Sequence, residues 1–151
     1  MPDTPTILLV EDNPSDVMFI RVALKQAGIT HTLQIVGDGE RAIQYLAGEK
    51  EYANRDLHPI PRLVLLDLGL PVKSGFEVLE WITRHAGPVN YSVVILSSSS
   101  KPEDIVCARS LGAKSFLTKP ESFESLVEIV MSVREYLDDS PLPSASFAPG
   151  A

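Results

Sequence analysis

Polar side chains able to do chemistry stand directly behind short strand-like stretches at four places in this sequence. Glu11 and Asp12 follow Ile7-Leu8-Leu9-Val10, and Asp67 follows Leu63-Val64-Leu65-Leu66. Ser97 follows Val93-Val94-Ile95-Leu96, and Lys119 follows Lys114-Ser115-Phe116-Leu117-Thr118. Three carboxylates brought together repel one another unless a cation neutralises them. Every candidate ligand is a hard oxygen, with neither sulfur nor imidazole in the set, which favours Mg²⁺ with several waters retained. One divalent cation and one ammonium neutralise three carboxylates. An added phosphoryl group would share the metal, the ammonium and the serine hydroxyl. Aspartates can act as nucleophiles that form aspartyl phosphates. Phosphoryl transfer itself asks mainly for positioning and charge neutralisation.

The elements that must position these groups are legible from pattern. The three apolar runs do not alternate, so they read as strands buried on both faces. Thr32-Leu33-Gln34-Ile35-Val36 partly alternates, and Lys114 to Thr118 is more than half polar; both suit sheet edges. Helical spacing links Val17, Ile20, Leu24 and Ala27, with Gly28 as the stop. Ala42, Ile43, Leu46 and Ala47 follow the N-cap Asp38. Phe76, Val78, Leu79 and Ile82 mark a third helix. Ile105, Val106 and Leu111 mark a fourth, ending near Gly112. A fifth carries Phe123, Leu126, Val127, Val130, Val133 and Leu137.

Strand and helix alternate five times, which implies a parallel α/β sheet with helices on both faces. Central strands one, three and four with edge strands two and five give the order 2-1-3-4-5, a flavodoxin-like (βα)5 doubly wound sheet. Ligands of such sheets bind beyond the carboxyl ends of the strands, where the order reverses. Here that point lies between strands one and three, beside Glu11, Asp12 and Asp67. Neighbouring strands are ~4.8 Å apart, so the strand-end groups should converge.

Composition narrows the function classes. The 151 residues carry a net charge of −7, which argues against a nucleic-acid partner bound through phosphates. No apolar run approaches the ~18 residues of a membrane span. One cysteine and three scattered histidines exclude zinc-knuckle chemistry. The single cysteine makes a reducing, cytoplasmic setting the expectation. Cys107 reads as a small packing residue. Residues 48–61 form a long connection, functional, mobile or a plain linker. Residues 139–151, rich in Pro, Ser and Ala, read as a flexible tail.

Leu9-Val10-Glu11-Asp12-Asn13, Leu65-Leu66-Asp67-Leu68 with Leu70-Pro71 and Gly75, Leu96-Ser97, and Phe116-Leu117-Thr118-Lys119-Pro120 together resemble the signature of the response-regulator receiver domain. The resemblance spans residues 6–138. Glu51-Tyr52-Ala53 in the long loop, and the serine run after strand four, resemble the single-domain regulators paired with bacterial phytochrome histidine kinases. The resemblance implies that Asp67 is the phosphoacceptor. It implies that Asp12 binds Mg²⁺ directly, that Glu11 does so through water, and that the Gly69 carbonyl is a further ligand. Ser97 and Lys119 would hold the phosphoryl group, and Pro120 would follow a cis peptide bond. Phe116 would be the aromatic whose turn inward reports phosphorylation. The family more often has Thr at position 97 and often Tyr at position 116.

The expected function is a phosphorylation switch served by a sensor histidine kinase. Two rivals stand beside it. A phosphate-independent binding module is disfavoured by the complete acidic set and Lys119. A small phosphatase with Asp67 as nucleophile often needs a second Asp two residues on, where this chain has Gly69. On the fifth helix, Ile129 and Tyr136 flank the core stripe seven residues apart. They read either as sheltered by the tail or, with Val133, as a homodimer or partner face.

Overall fold

The computed structural model describes residues 5–85 and 91–137. Strand β1 (Thr6–Val10) leads to α1 (Pro14–Gln26), β2 (Thr32–Val36) to α2 (Gly39–Ala47), and β3 (Leu63–Leu66) to α3 (Gly75–His85). Strand β4 (Ser92–Ser97) leads to α4 (Pro102–Ser110), and β5 (Ser115–Thr118) to α5 (Phe123–Met131). The five parallel strands take the order β2-β1-β3-β4-β5. The expected strand order and doubly wound architecture are therefore the observed ones.

Each apolar run is split between two cores because successive strand side chains point to opposite faces. Leu8, Val10, Val64, Leu66, Ile95 and Phe116 pack with Ala42, Tyr45, Val78 and Leu79 of α2 and α3. Ile7, Leu9, Leu63, Leu65, Val94 and Leu96 pack with Ile20, Leu24, Leu126 and Val130 of α1 and α5. A strand covered on both sides needs apolar residues at every position, which is why these runs do not alternate. The register pairs Val10 with Leu66, Leu66 with Ile95 and Ser97 with Thr118, so the strand ends form a common rim.

Helix boundaries follow local chemistry. Asn13 caps α1 by accepting the Asp16 N–H, and Asp38 caps α2 by accepting the Arg41 N–H at 2.7 Å. Gly28 follows α1 with a φ of 80°, a conformation that glycine adopts without a Cβ penalty. Residues 48–61 are built rather than slack. They contain a 3-10 turn (Lys50–Ala53), and Arg55 donates to the carbonyls of Tyr45, Leu46 and His58. The buried Tyr45 hydroxyl donates to the Pro59 carbonyl at 2.7 Å, and its ring touches those of Tyr52 and His58.

Several expectations need correction. Strand β5 begins at Ser115 rather than Lys114, and Ser115 to Leu117 are buried despite the edge position. Cys107 is exposed, as is Val106, because α4 turns Ala108 to the sheet instead. The proposed dimer face does not exist as drawn: Val133 and Tyr136 are buried in the α1–α5 core, and Ile129 is half-buried beside them. The chain tightens after α5 into a 3-10 turn (Ser132–Tyr136). Residues three apart eclipse in that geometry, so Val130, Val133 and Tyr136 share one inward face. The expected tail, and the Asp138 boundary, lie outside the described residues.

Candidate functional site

The rim formed by β1, β3, β4 and β5 gathers the strand-end groups. Backbone pairing fixes three of them directly. The Glu11 N–H donates to Val36, the Asp67 N–H to Val10, and the Lys119 N–H to Ser97, at 3.1, 3.1 and 2.8 Å. Glu11, Asp12 and Asp67 each present a carboxylate oxygen, all within 4.8 Å of one another. Glu11 and Asp67 are buried and Asp12 is exposed. Three hard oxygens at that spacing, one of them facing solvent, fit a divalent cation that keeps part of its water shell.

Lys119 reaches into this cluster with its ammonium group. Its Nζ donates to Glu11 Oε1 at 2.6 Å, to Asp16 Oδ2 at 2.9 Å and to Asp67 Oδ2 at 3.5 Å. Burial disfavours the charged ammonium, but the hydrogen bonds to Glu11 and Asp16, with the charge of Asp67, outweigh it. The Lys119 pKa is carried up to about 12. Glu11 shows the opposite balance. Desolvation lifts its carboxyl above the usual range, against the Lys119 hydrogen bond and the Asn13 N–H that it also accepts. The buried acid is thus under-compensated by protein groups alone.

On the other side of Asp67 an open depression is lined by Leu68, Gly69, Phe76, Ser97 to Lys101 and Asp104. Ser97 is the last residue of β4 and buried, while Ser98 next to it is exposed. The Ser97 Oγ accepts the Ser99 N–H at 3.3 Å, and the Ser99 hydroxyl donates to Asp104 at 2.6 Å. Gly69 donates its N–H to Asp67 Oδ1 at 3.3 Å. Gly75 is required by close approach: a Cβ there would sit 2.4 Å from the Asp67 carbonyl oxygen.

The structure therefore brings Glu11, Asp12, Asp67 and Lys119 together, with Ser97 and Gly69 lining the adjoining depression. Two expectations fail here. The Lys119–Pro120 peptide bond is trans, since no cis bond occurs among the described residues. Trans is favoured before proline by about 0.5–1 kcal/mol, and the Lys119–Ser97 backbone bond forms without a cis turn. Phe116 is already only 2% exposed, so an inward turn from a solvent position has no starting point in this structure. A phenyl ring lacks the hydroxyl that would draw it toward water. Sequence reasoning missed Asp16. It sits one turn into α1, where an acid reads as a partner for the helix dipole; only the fold reveals that this turn faces Lys119.

Comparison with known proteins points to one family. Residues 7–131 match the model of the response regulator receiver domain. The chain is 36% identical over 140 residues to the response regulator Rcp1 of Synechocystis sp., covering 92% of this chain and 93% of the relative. It is also similar to the crystal structure of the phosphorylated cyanobacterial phytochrome response regulator RcpA. There the identity is 37%, the TM-score 0.81, and coverage 95% of this chain and 100% of that one. The Mn²⁺-bound form of Rcp1 matches with 35% identity and a TM-score of 0.79, over 93% of this chain and 99% of that one. This chain belongs to the response regulator receiver family.

Proposed function

We propose that the chain is a phosphorylation switch whose acceptor is Asp67. The observation that carries this reading is the asymmetry around that carboxylate. Acids and an ammonium stand on one side, and a hydroxyl-lined depression opens on the other. A phosphohistidine on a sensor kinase would enter from the depression. An Asp67 oxygen attacks phosphorus in line, the phosphorus–nitrogen bond breaks, and the electron pair stays with the imidazole. Lys119 and the Ser97 hydroxyl would take the charge of the transferred group.

Asp12 and Asp67 would hold Mg²⁺, with Glu11 acting through water and the Gly69 carbonyl as a further ligand. When bound, Mg²⁺ supplies neutralisation of the charge that develops on phosphoryl oxygens. The donor set fits it, and the under-compensated Glu11 supports a cation there. Exposed Phe19 of α1 lines a groove with Lys119 and Pro120, and Met18 and Val22 of the same helix are also exposed, an apolar face suited to the kinase. The likeness to phytochrome response regulators supports a phytochrome-type kinase as the donor.

The test is intact mass after incubation with acetyl phosphate and Mg²⁺. The wild-type chain gains one phosphoryl group, and Asp67→Asn gains none. Equal labelling of both forms would refute Asp67 as the acceptor. Failure of the wild type to label would favour a phosphate-independent binding module.

A further inference from the structure

Three carboxylates surround one ammonium, and they do not share it evenly. Lys119 lies closest to Glu11 and Asp16, while Asp67 is the most distant of its three partners. The partners also differ in burial. The side chains of Glu11 and Asp67 are 2% and 11% exposed, and that of Asp16 is 37% exposed. A buried carboxylate that loses its partner meets a large desolvation penalty, whereas a solvent-facing one is rehydrated at little cost. Asp16 is therefore the partner that can release Lys119 most cheaply.

We infer that Asp16 is a positioning residue that holds Lys119 in the resting chain and releases it when Asp67 is phosphorylated. The inference rests on the reading of Asp67 as phosphoacceptor. A phosphoryl group on Asp67 adds negative charge and strong acceptor oxygens within reach of the ammonium. The flexible lysine stem lets the ammonium move without moving β5. Asp16 and Lys119 also line a groove with Phe19, Pro120 and Phe123. Release of Lys119 leaves an unpaired carboxylate in that groove, so the groove carries different charge before and after phosphorylation.

Two measurements test this. The first compares initial labelling rates with acetyl phosphate and Mg²⁺ in the wild type, Asp16→Asn and Asp16→Glu. Loss of a half-exposed competitor predicts labelling about two- to fivefold faster in Asp16→Asn, with Asp16→Glu returning to the wild-type rate. Equal or slower labelling of Asp16→Asn overturns the inference. The second needs no variant, and so does not depend on one folding. A crystal structure of the wild type with Mg²⁺ and beryllofluoride, a phosphoryl mimic, should place Lys119 Nζ more than about 4 Å from Asp16, beyond ion-pair distance. A pair still at 2.9 Å overturns the inference. If the wild type takes no label through Asp67, the phosphoacceptor reading falls and takes this one with it. Labelling of the wild type with no response to Asp16 overturns this inference alone.

Discussion

Replacing Lys119 by alanine probes the charge balance of the site. The substitution leaves Glu11, which is 3% exposed, beside Asp67 with no ammonium between them. Two routes give the size of the loss. The rise of the Lys119 pKa from 10.5 to about 12 is worth about 2 kcal/mol of preference for the folded, charged form. Removing one member of a buried pair costs about 3–5 kcal/mol, because the other charge stays buried alone. A loss of about 2–5 kcal/mol is therefore expected near pH 7 in urea denaturation with a chelator present. The pH dependence has a definite sign. A lysine whose pKa is raised on folding contributes fully below about 10.5 and loses that contribution as pH rises through about 12. The wild-type advantage is thus flat between pH 6 and 9 as far as Lys119 is concerned. Glu11 has a raised carboxyl pKa, so the folded state favours its neutral form. Stability from that preference is present below its ordinary value of 4.5 and is lost as pH rises through the raised one. A neutral Glu11 needs no partner, so the gap between variant and wild type should narrow on the acid side. A loss under about 1 kcal/mol at pH 7, of the size expected for an exposed pair, would refute the reasoning. So would a gap that widens toward acid.

Addition of Mg²⁺ at a hundred times its dissociation constant should stabilise the wild type by about 2.7 kcal/mol. That corresponds to a rise of roughly 5–10 °C in melting temperature, and Asp12→Asn should abolish most of it without lowering the metal-free melt. Gly75→Ala drives a Cβ to 2.4 Å from the Asp67 carbonyl oxygen and 2.7 Å from Leu68 Cα. A cost of about 1–3 kcal/mol in stability is expected, with acetyl phosphate labelling slowed about ten- to a hundredfold as Asp67 is displaced. Tyr136→Asp should lower stability by about 3–5 kcal/mol, the cost of emptying a large core site, and leave the sedimentation coefficient of the folded fraction unchanged. A shift in assembly state with an unaltered melt would contradict the burial of Tyr136.

What the sequence made legible is what the sheet controls. Glu11, Asp67, Ser97 and Lys119 could be located because each stands at or just beyond the end of a strand, and parallel pairing brings such ends together. The helix caps at Asp38 and Gly28 were equally readable, since each satisfies a local rule. What escaped depends on contacts between distant segments or on small changes of helical pitch. The helical spacing of Ala42, Ile43, Leu46 and Ala47 passes over Tyr45, yet Tyr45 is buried by the loop that follows, through Tyr52 and Pro59. Tyr136 looked like an outward flank under α-helical periodicity and became core when the last turn tightened.

The distribution of Lys119 among its acids belongs to a different class again. Strand register places the lysine backbone beside Ser97, through a 2.8 Å bond from the Lys119 N–H to the Ser97 carbonyl. Register does not decide where four methylenes carry the ammonium. That choice is set by how close each carboxylate lies and how buried it is, and neither quantity is written in any one segment. The consequence is a division of labour within one residue. The backbone of Lys119 locks β5 to the end of β4, so the ammonium and the Ser97 hydroxyl start from one fixed frame. The side chain remains free to answer a change of charge at Asp67. A site built this way can respond to one added group without rebuilding the sheet that holds it.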